Sequence, residues 1–177
     1  MRIISGSLKG RRILAPKKLP VRPTTDRSKE ALFNILTNWV TFNEIRVLDL
    51  FSGTGNISYE FGSRGVSELV AVDQNKYCVR FIEEISNKFG LNFEVVNQNV
   101  FKFLQKQNQS FDVIFADPPY DLPHSKFKKI ADLIFERNWL KEKGMLILEH
   151  SKEYNFEDHP NFESSRNYGS NNFSFFE

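Results

Sequence analysis

Short apolar runs alternate along this chain with longer stretches in which apolar residues return every three or four positions, the pattern of strands interleaved with helices. Five runs read as strands: Arg46–Phe51, Glu68–Val72, Phe93–Val96, Phe111–Ala116 and Met145–Glu149. They are dense in apolar residues on both faces, as expected of strands buried in a parallel sheet. Between them the spacing predicts helices. Thr24 or Thr25 caps the first, with Asp26 in its first turn and Leu32, Ile35, Leu36 and Trp39 directed at the sheet. A second runs to Arg64 and ends at Gly65. A third carries Cys78, Ile82, Ile85 and Phe89 on one face and stops at Gly90, a fourth spans Phe101–Lys106, and a fifth spans His124–Leu140 with Phe127, Ile130, Ala131 and Ile134 inward. At the N-terminus, Arg2–Leu14 predicts two short strands around a Ser/Lys/Gly turn, followed by an extended linker marked by Pro16, Pro20 and Pro23. The tail alternates around Tyr168-Gly169-Ser170 and predicts a closing antiparallel hairpin. The class is α/β, with a mostly parallel sheet.

Composition narrows this picture. The 177 residues are enough for one domain with a substantial core. No apolar run is long enough to span a bilayer, and the basic N-terminus lacks the apolar stretch of a signal peptide. The single Cys78 cannot form an internal disulfide, so a reducing cytoplasm is the expected location. His124, His150 and His159 are scattered without metal-ligand spacing and read as surface or capping residues. Ser52 and Ser58 have no His/Asp partners in sight, which argues against a hydrolase triad.

Charge adds an asymmetry. Residues 1–30 hold nine Lys and Arg against two acids, and with a net charge of +2 overall the remainder is acidic. A basic arm of this kind commonly meets a phosphate backbone. It divides the chain into a basic extension, residues 1–24, and a main domain, residues 25–177.

The chemistry clusters at strand ends. The fourth strand stops at Asp117-Pro118-Pro119-Tyr120, which sets a carboxylate, two carbonyls without N–H groups and an aromatic ring at a C-terminal strand edge, where open α/β sheets bind ligands. That set suits a flat ring bearing an amino group: Asp117 and the Pro118 carbonyl accept its hydrogens, and Tyr120 stacks on the ring. The first strand runs into Ser52-Gly53-Thr54-Gly55, glycines that permit a tight turn and close approach of a ligand. Ser58 stands where a third glycine would complete a dinucleotide fingerprint, so NAD is not favoured. Asp73 ends the second strand twenty positions after Gly53, the separation at which a carboxylate meets ribose hydroxyls. Asn97-Gln98-Asn99-Val100 follows the third strand, placed to read an adenine edge.

Together the first-strand Asp-x-Phe-x-Gly-x-Gly, the second-strand acid and Asp-Pro-Pro-Tyr resemble the class I S-adenosylmethionine methyltransferases, in the branch that acts on exocyclic amines. Met1–Gly6, Gly10-Arg11-Arg12, Arg22-Pro23-Thr24-Thr25-Asp26-Arg27, Glu30–Asn34, Val47–Gly55, Ser63-Arg64-Gly65, Asp117–Tyr120, Tyr168-Gly169 and the Phe-Ser-Phe-Phe ending resemble the RsmD family over essentially the whole chain. The departures are Ser58 and the helix start Asn56–Phe61. The resemblance implies a Rossmann-like fold with a seven-stranded sheet, and transfer of a methyl group to the 2-amino group of a guanine in small-subunit (16S) rRNA, on the assembled or assembling 30S particle. It implies S-adenosyl-L-methionine held by Asp49, Phe51, Gly53, Gly55, Asp73, Asn99 and Val100, with Asp117, Pro118, Pro119 and Tyr120 catalytic. Arg2, Lys9, Arg11, Arg12, Arg22, Thr24, Thr25 and Arg27 become the RNA-binding set. A monomer is expected, with no metal and no membrane partner. Three other readings stay open: a DNA adenine-N6 methyltransferase, a protein-glutamine methyltransferase, and a nucleic-acid-binding module on an inactive methyltransferase fold.

Overall fold

In the computed structural model, which describes residues 1–16, 25–106, 109–168 and 171–177, the expected strands form one seven-stranded sheet. The elements are α1 (Asp26–Leu36), β1 (Arg46–Leu50), α2 (Asn56–Ser63), β2 (Glu68–Asp73), α3 (Lys76–Phe89), β3 (Phe93–Asn97), α4 (Val100–Leu104), β4 (Phe111–Ala116), α5 (His124–Glu136), β5 (Leu140–Ser151), β6 (Phe162–Tyr168) and β7 (Asn171–Phe176). Strand order is β3-β2-β1-β4-β5-β7-β6. Strands β1 to β5 pair in parallel, and β7 joins β5 and β6 antiparallel. The chain winds outward from β1 to β3 and then returns to β4 on the other side of β1. That reversal opens a crevice at the C-terminal ends of β1 and β4.

Both sheet faces are covered, which is why the central strands are apolar throughout. Val47, Val113, Phe115, Met145 and Ile147 face one core with Leu32, Phe33 and Leu36 of α1. Leu48, Leu50, Ile114, Leu146 and Leu148 face the other with Phe127, Ile130 and Ile134 of α5. Successive strand residues thus divide between two cores. None of the described helices is long and apolar enough to cross a membrane.

Several boundaries move for identifiable reasons. Helix α1 ends at Leu36, where Thr37 turns its hydroxyl back onto the Phe33 carbonyl, so Trp39 falls beyond the helix. Trp39 is 47% exposed and leans on Phe175, and Phe33 takes the inward place. Asn99 caps α4 and starts it at Val100. Helix α5 stops at Glu136 because Asn138, in the left-handed region, reverses the chain and drives Trp139 into the core. Strand β5 then begins at Leu140, pairing with Phe111 across an irregularity.

The N-terminal segment forms a single bridge, Arg2 to Arg12, instead of two strands. Ile3, Gly10 and Ile13 donate within the segment, to the Arg11, Ile3 and Met1 carbonyls, while the donors of Ile4, Ser5, Ser7 and Leu8 turn to α2. Ile4 and Ser5 donate to the Glu60 carboxylate (2.8 and 3.1 Å), Ser7 donates to the Ser63 carbonyl and Leu8 to the Ser63 hydroxyl. Gly6 (φ 85°) crosses α2 so closely that a Cβ would sit 1.8 Å from the Ser63 carbonyl oxygen, which leaves room only for glycine. Ile3 and Ile13 are buried in the same core as α1.

Candidate methyl-transfer site

The crevice is a cavity of about 500 Å³ lined by residues from four strand ends. Asp49, Phe51, Gly53, Asp73, Val100, Asp117, Pro118, Pro119 and Tyr120 all stand on its wall, so nine of the eleven expected site residues meet in one place. The other two act from behind. Gly55 (φ 78°) is the residue that turns the chain into α2, where a Cβ would meet the Tyr59 ring at 2.8 Å. Asn99 accepts from the Phe101 and Lys102 amides through its side-chain oxygen and donates to Gln74, so its carboxamide is committed to the cap.

Asp73 is fixed by two backbone donors. Gly53 N–H reaches Oδ2 at 2.9 Å and Asn75 N–H reaches Oδ1 at 2.7 Å. The twenty-residue spacing therefore closes a contact within the protein. Burial raises the Asp73 carboxyl above its usual range, and these two bonds oppose the rise.

Asp49 is 1% exposed, and the Ser58 hydroxyl donates to its Oδ2 at 2.5 Å. The residue in place of the third glycine thus supplies a hydrogen bond to the first-strand acid. Burial still dominates and pushes the carboxyl up to about 7. Because the folded protein holds this proton more tightly than the unfolded chain, stability falls as pH rises from about 4 to 7, and the cost is complete above 7. Asp49→Asn removes a charge worth at most roughly 4 kcal/mol. It is expected to raise Tm by several degrees at pH 8 and by nothing near pH 4, as read by scanning calorimetry at the two pH values. An equal shift at both would contradict a buried, ionising Asp49.

Asp117 ends β4 on the same sheet face as Asp49. Burial, then the nearby charges of Glu149 and Asp49, hold its carboxyl well above the ordinary carboxylate range. The chain then turns, with Leu122 N–H donating to the Pro119 carbonyl, and this turn carries Tyr120 to the rim. Tyr120 is 47% exposed, and its hydroxyl donates to Asn171 Oδ1 at 3.0 Å. An exposed, hydroxyl-anchored ring therefore stands at the rim beside the Asp117 carboxyl.

The remaining predicted residues divide. Lys9, Arg11, Arg12 and Arg27 are exposed, Arg2 pairs with Asp26 at 3.3 Å, and Thr25 caps α1. Arg22 and Thr24 lie outside the described residues. Lys29, one of the nine basic residues counted in the arm, is fully buried and adds nothing to a basic surface. His150 and His159 are also buried, against expectation. His150 bridges Ser151 and Ser174, and His159 faces Asp132; burial lowers the pKa of both. Among the described residues no cluster of three or more His, Cys, Asp or Glu is arranged to hold a metal. Cys78 lines the cavity, its thiol pushed up by burial to about 11 and so poorly nucleophilic.

Sequence reading missed Glu149 and Asn171. Glu149 is 2% exposed and closes the apolar run of β5 at the ligand-binding edge of the sheet, a position that could have marked it. Asn171 carried no local signal.

The cavity fits the expected cofactor. Ser52 Oγ is buried on its wall without a hydrogen-bond partner, as a group awaiting a polar ligand would be. Strand order, crevice and acid placement define a class I methyltransferase fold. The chain matches the family described as Conserved hypothetical protein 95 over residues 1–177 and belongs to it, the family of RsmD. It is 32% identical over 159 residues to Ribosomal RNA small subunit methyltransferase D of Buchnera aphidicola subsp. Baizongia pistaciae, covering 88% of this chain and 78% of that one. Putative rRNA methyltransferase YlbH of Bacillus subtilis is 35% identical over 158 residues, covering 86% and 84%. The solved structure of the putative methyltransferase yhhF from Escherichia coli superposes with a TM-score of 0.85 at 25% identity, covering 99% of this chain and 96% of that one.

Proposed function

We propose that this protein methylates the exocyclic 2-amino group of a guanine in small-subunit ribosomal RNA, on the assembled or assembling 30S particle. The observation that carries this reading is the junction of two sites in one cavity: the Asp49, Gly53 and Asp73 wall and the Asp117–Tyr120 turn. Family membership supplies the substrate class, since its relatives carry rRNA methyltransferase names.

S-adenosylmethionine supplies an already activated sulfonium methyl when bound along the first wall. Asp73 holds its ribose, Asp49 and the turn from Phe51 to Gly53 its methionine part, and Val100 its adenine. The target base must leave its stack to enter, at a cost of a few kcal/mol. Tyr120 offsets part of this by stacking, worth about 1–3 kcal/mol.

The amine is a poor nucleophile because its lone pair is delocalised into the ring. Hydrogen bonds to Asp117 and the Pro118 carbonyl favour a pyramidal nitrogen with a localised lone pair aimed at the methyl group. The new N–C bond forms as the S–C bond breaks, leaving a neutral thioether and one surplus proton on nitrogen. Asp117 takes that proton, a role suited to a carboxyl that burial and the charges of Glu149 and Asp49 hold well above the ordinary carboxylate range.

The test is tritium transfer from labelled S-adenosylmethionine to small subunits lacking the modification, naked 16S rRNA and unmethylated DNA. Recovery as 2-methylguanine from subunit or rRNA is expected. Label recovered only from DNA, as 6-methyladenine, would replace the substrate while keeping the chemistry. No label on any of them would reject the reading.

The extension of residues 1–24 is proposed as the RNA-binding element. Replacing Lys9, Arg11 and Arg12 together with glutamine is expected to weaken RNA binding and reduce the slope of log K against log salt by about 2–3. Filter binding across a salt series checks this. A slope equal to wild type would assign these charges to solubility.

A further inference from the structure

Glu149 is buried beside a second acid, Asp117, at the cavity wall, and the methyl-transfer scheme above makes no use of it. Ala116 pairs with Leu148 in the parallel register of β4 and β5, so Asp117, just past the end of β4, and Glu149, within β5, come side by side. They share the face that holds Phe115 and Ile147. Glu149 is 2% exposed and is absent from the cavity wall, so it does not touch a ligand there.

What Glu149 does touch leads back to the site. Asn171, the first residue of β7, donates its Nδ2 to Glu149 Oε1 at 2.5 Å. A carboxylate only accepts, so this bond fixes the amide with its oxygen turned the other way. That oxygen receives the Tyr120 hydroxyl at 3.0 Å. A continuous path therefore runs from the buried acid through the antiparallel hairpin to the aromatic ring at the rim.

The same acid acts on Asp117 through space. The charges that act on Asp117 are those of Glu149 from β5 and Asp49 from β1, and the cavity it faces is also lined by Asp73, Cys78, Tyr120 and Asp121. Among the described residues of that lining none is a cation. Glu149 is buried and Asp117 is half-buried at the cavity wall, and a carboxylate set beside another disfavours its ionisation. His150, the next residue of β5, is engaged with Ser151 and Ser174.

We propose that Glu149 is a positioning residue of the methyl-transfer site, orienting Tyr120 through Asn171 and setting the charge that Asp117 carries. The proposal rests on the methylation reading only for its kinetic consequence. Its electrostatic half concerns the protein alone.

Two variants separate the halves. Glu149→Gln keeps the size and one acceptor oxygen while removing the charge, and Asn171→Ala cuts the path to Tyr120 while leaving the charge. The Asp117 carboxyl is followed by 13C NMR in aspartate-labelled protein, its signal identified by its loss in Asp117→Asn. Its midpoint is expected to fall by about one pH unit or more in Glu149→Gln and to stay near wild type in Asn171→Ala. In turnover, Glu149→Gln moves the acid limb of the pH–rate profile downward. Asn171→Ala leaves that limb in place and raises KM for RNA roughly fivefold, about 1 kcal/mol of lost ring placement. An unmoved Asp117 midpoint in Glu149→Gln, or a wild-type KM in Asn171→Ala, overturns the proposal. If wild type methylates no RNA, the methylation reading fails, and the NMR titration still decides whether Glu149 governs Asp117.

Discussion

Asp117→Ala is expected to lower kcat for methyl transfer by roughly 10³-fold while the protein still folds and binds its methyl donor. Asp117 is the one acid at the cavity that combines three features. It ends the strand beside β1, it sits next to the turn that carries Tyr120, and its pKa is raised well above the ordinary range. Loss of its carboxylate removes both the acceptor that localises the amine lone pair and the base that receives the proton. Folding should not suffer, because an acid that faces the charges of Glu149 and Asp49 is an electrostatic burden on the native state. Single-turnover transfer and calorimetric donor binding, measured on the same preparation, separate chemistry from binding. Turnover near wild type would remove Asp117 from the mechanism; a lost fold would show instead that it is structural.

Glu60→Ala is expected to have the largest effect on stability. Glu60 is fully buried and gathers the N-terminal segment, α1 and α2 around one carboxylate. It accepts from the Ile4 and Ser5 amides and pairs with Arg64 at 3.0 Å and Lys29 at 3.5 Å. Lys29 also donates to the Arg2 carbonyl at 2.7 Å and to Asn56 at 2.9 Å, and its pKa is lowered chiefly by burial. Removing the carboxylate leaves a lysine sealed in the protein with its main counter-charge gone, which typically costs about 3–5 kcal/mol. For a chain of this length that corresponds to a fall in Tm of about 10 °C or more. Because the Ile4 and Ser5 amides lose their acceptor, trypsin should also cut faster at Lys9 and Arg11. The double variant Glu60→Ala with Lys29→Met should recover part of the loss, since the fully buried lysine charge is then gone. Arg64 loses its partner but keeps its contacts with the Phe33 and Phe42 rings. A Tm for Glu60→Ala within about 2 °C of wild type, or a double variant no better than the single, would contradict this account.

Asn56 joins this cluster to the cavity. It accepts from Lys29 and lies on the cavity wall, so the basic extension, the buried ion pairs and the candidate donor site are mechanically continuous. An extension that reads from sequence as a separate arm is packed into the same core as α1 through Ile3 and Ile13.

Much of the fold follows from local pattern. The apolar runs of β1, β2, β3 and β4, the left-handed turn at Gly55 and the stop at Gly90 are properties of a few neighbouring residues. The cavity wall was legible for the same reason: Asp49, Gly53, Asp73 and Asp117 each sit at a strand end, and parallel topology brings strand ends to one edge. Boundaries were less legible where competing local bonds decided them, as Thr37 did at the end of α1 and Asn138 after α5.

By itself, then, the sequence determined the strand and helix alternation, the acids at the strand ends and the Asp-Pro-Pro-Tyr turn, because these depend on residues close together in the chain. Tertiary structure alone decided which polar groups are buried and what they meet. Ser58 meets Asp49 across nine positions, Asn171 meets Glu149 across twenty-two, and Glu60 meets Ile4 across fifty-six. A buried charge is tolerated only where its partners converge. That convergence is fixed by the stacking of strands and helices, so no run of neighbouring residues encodes it.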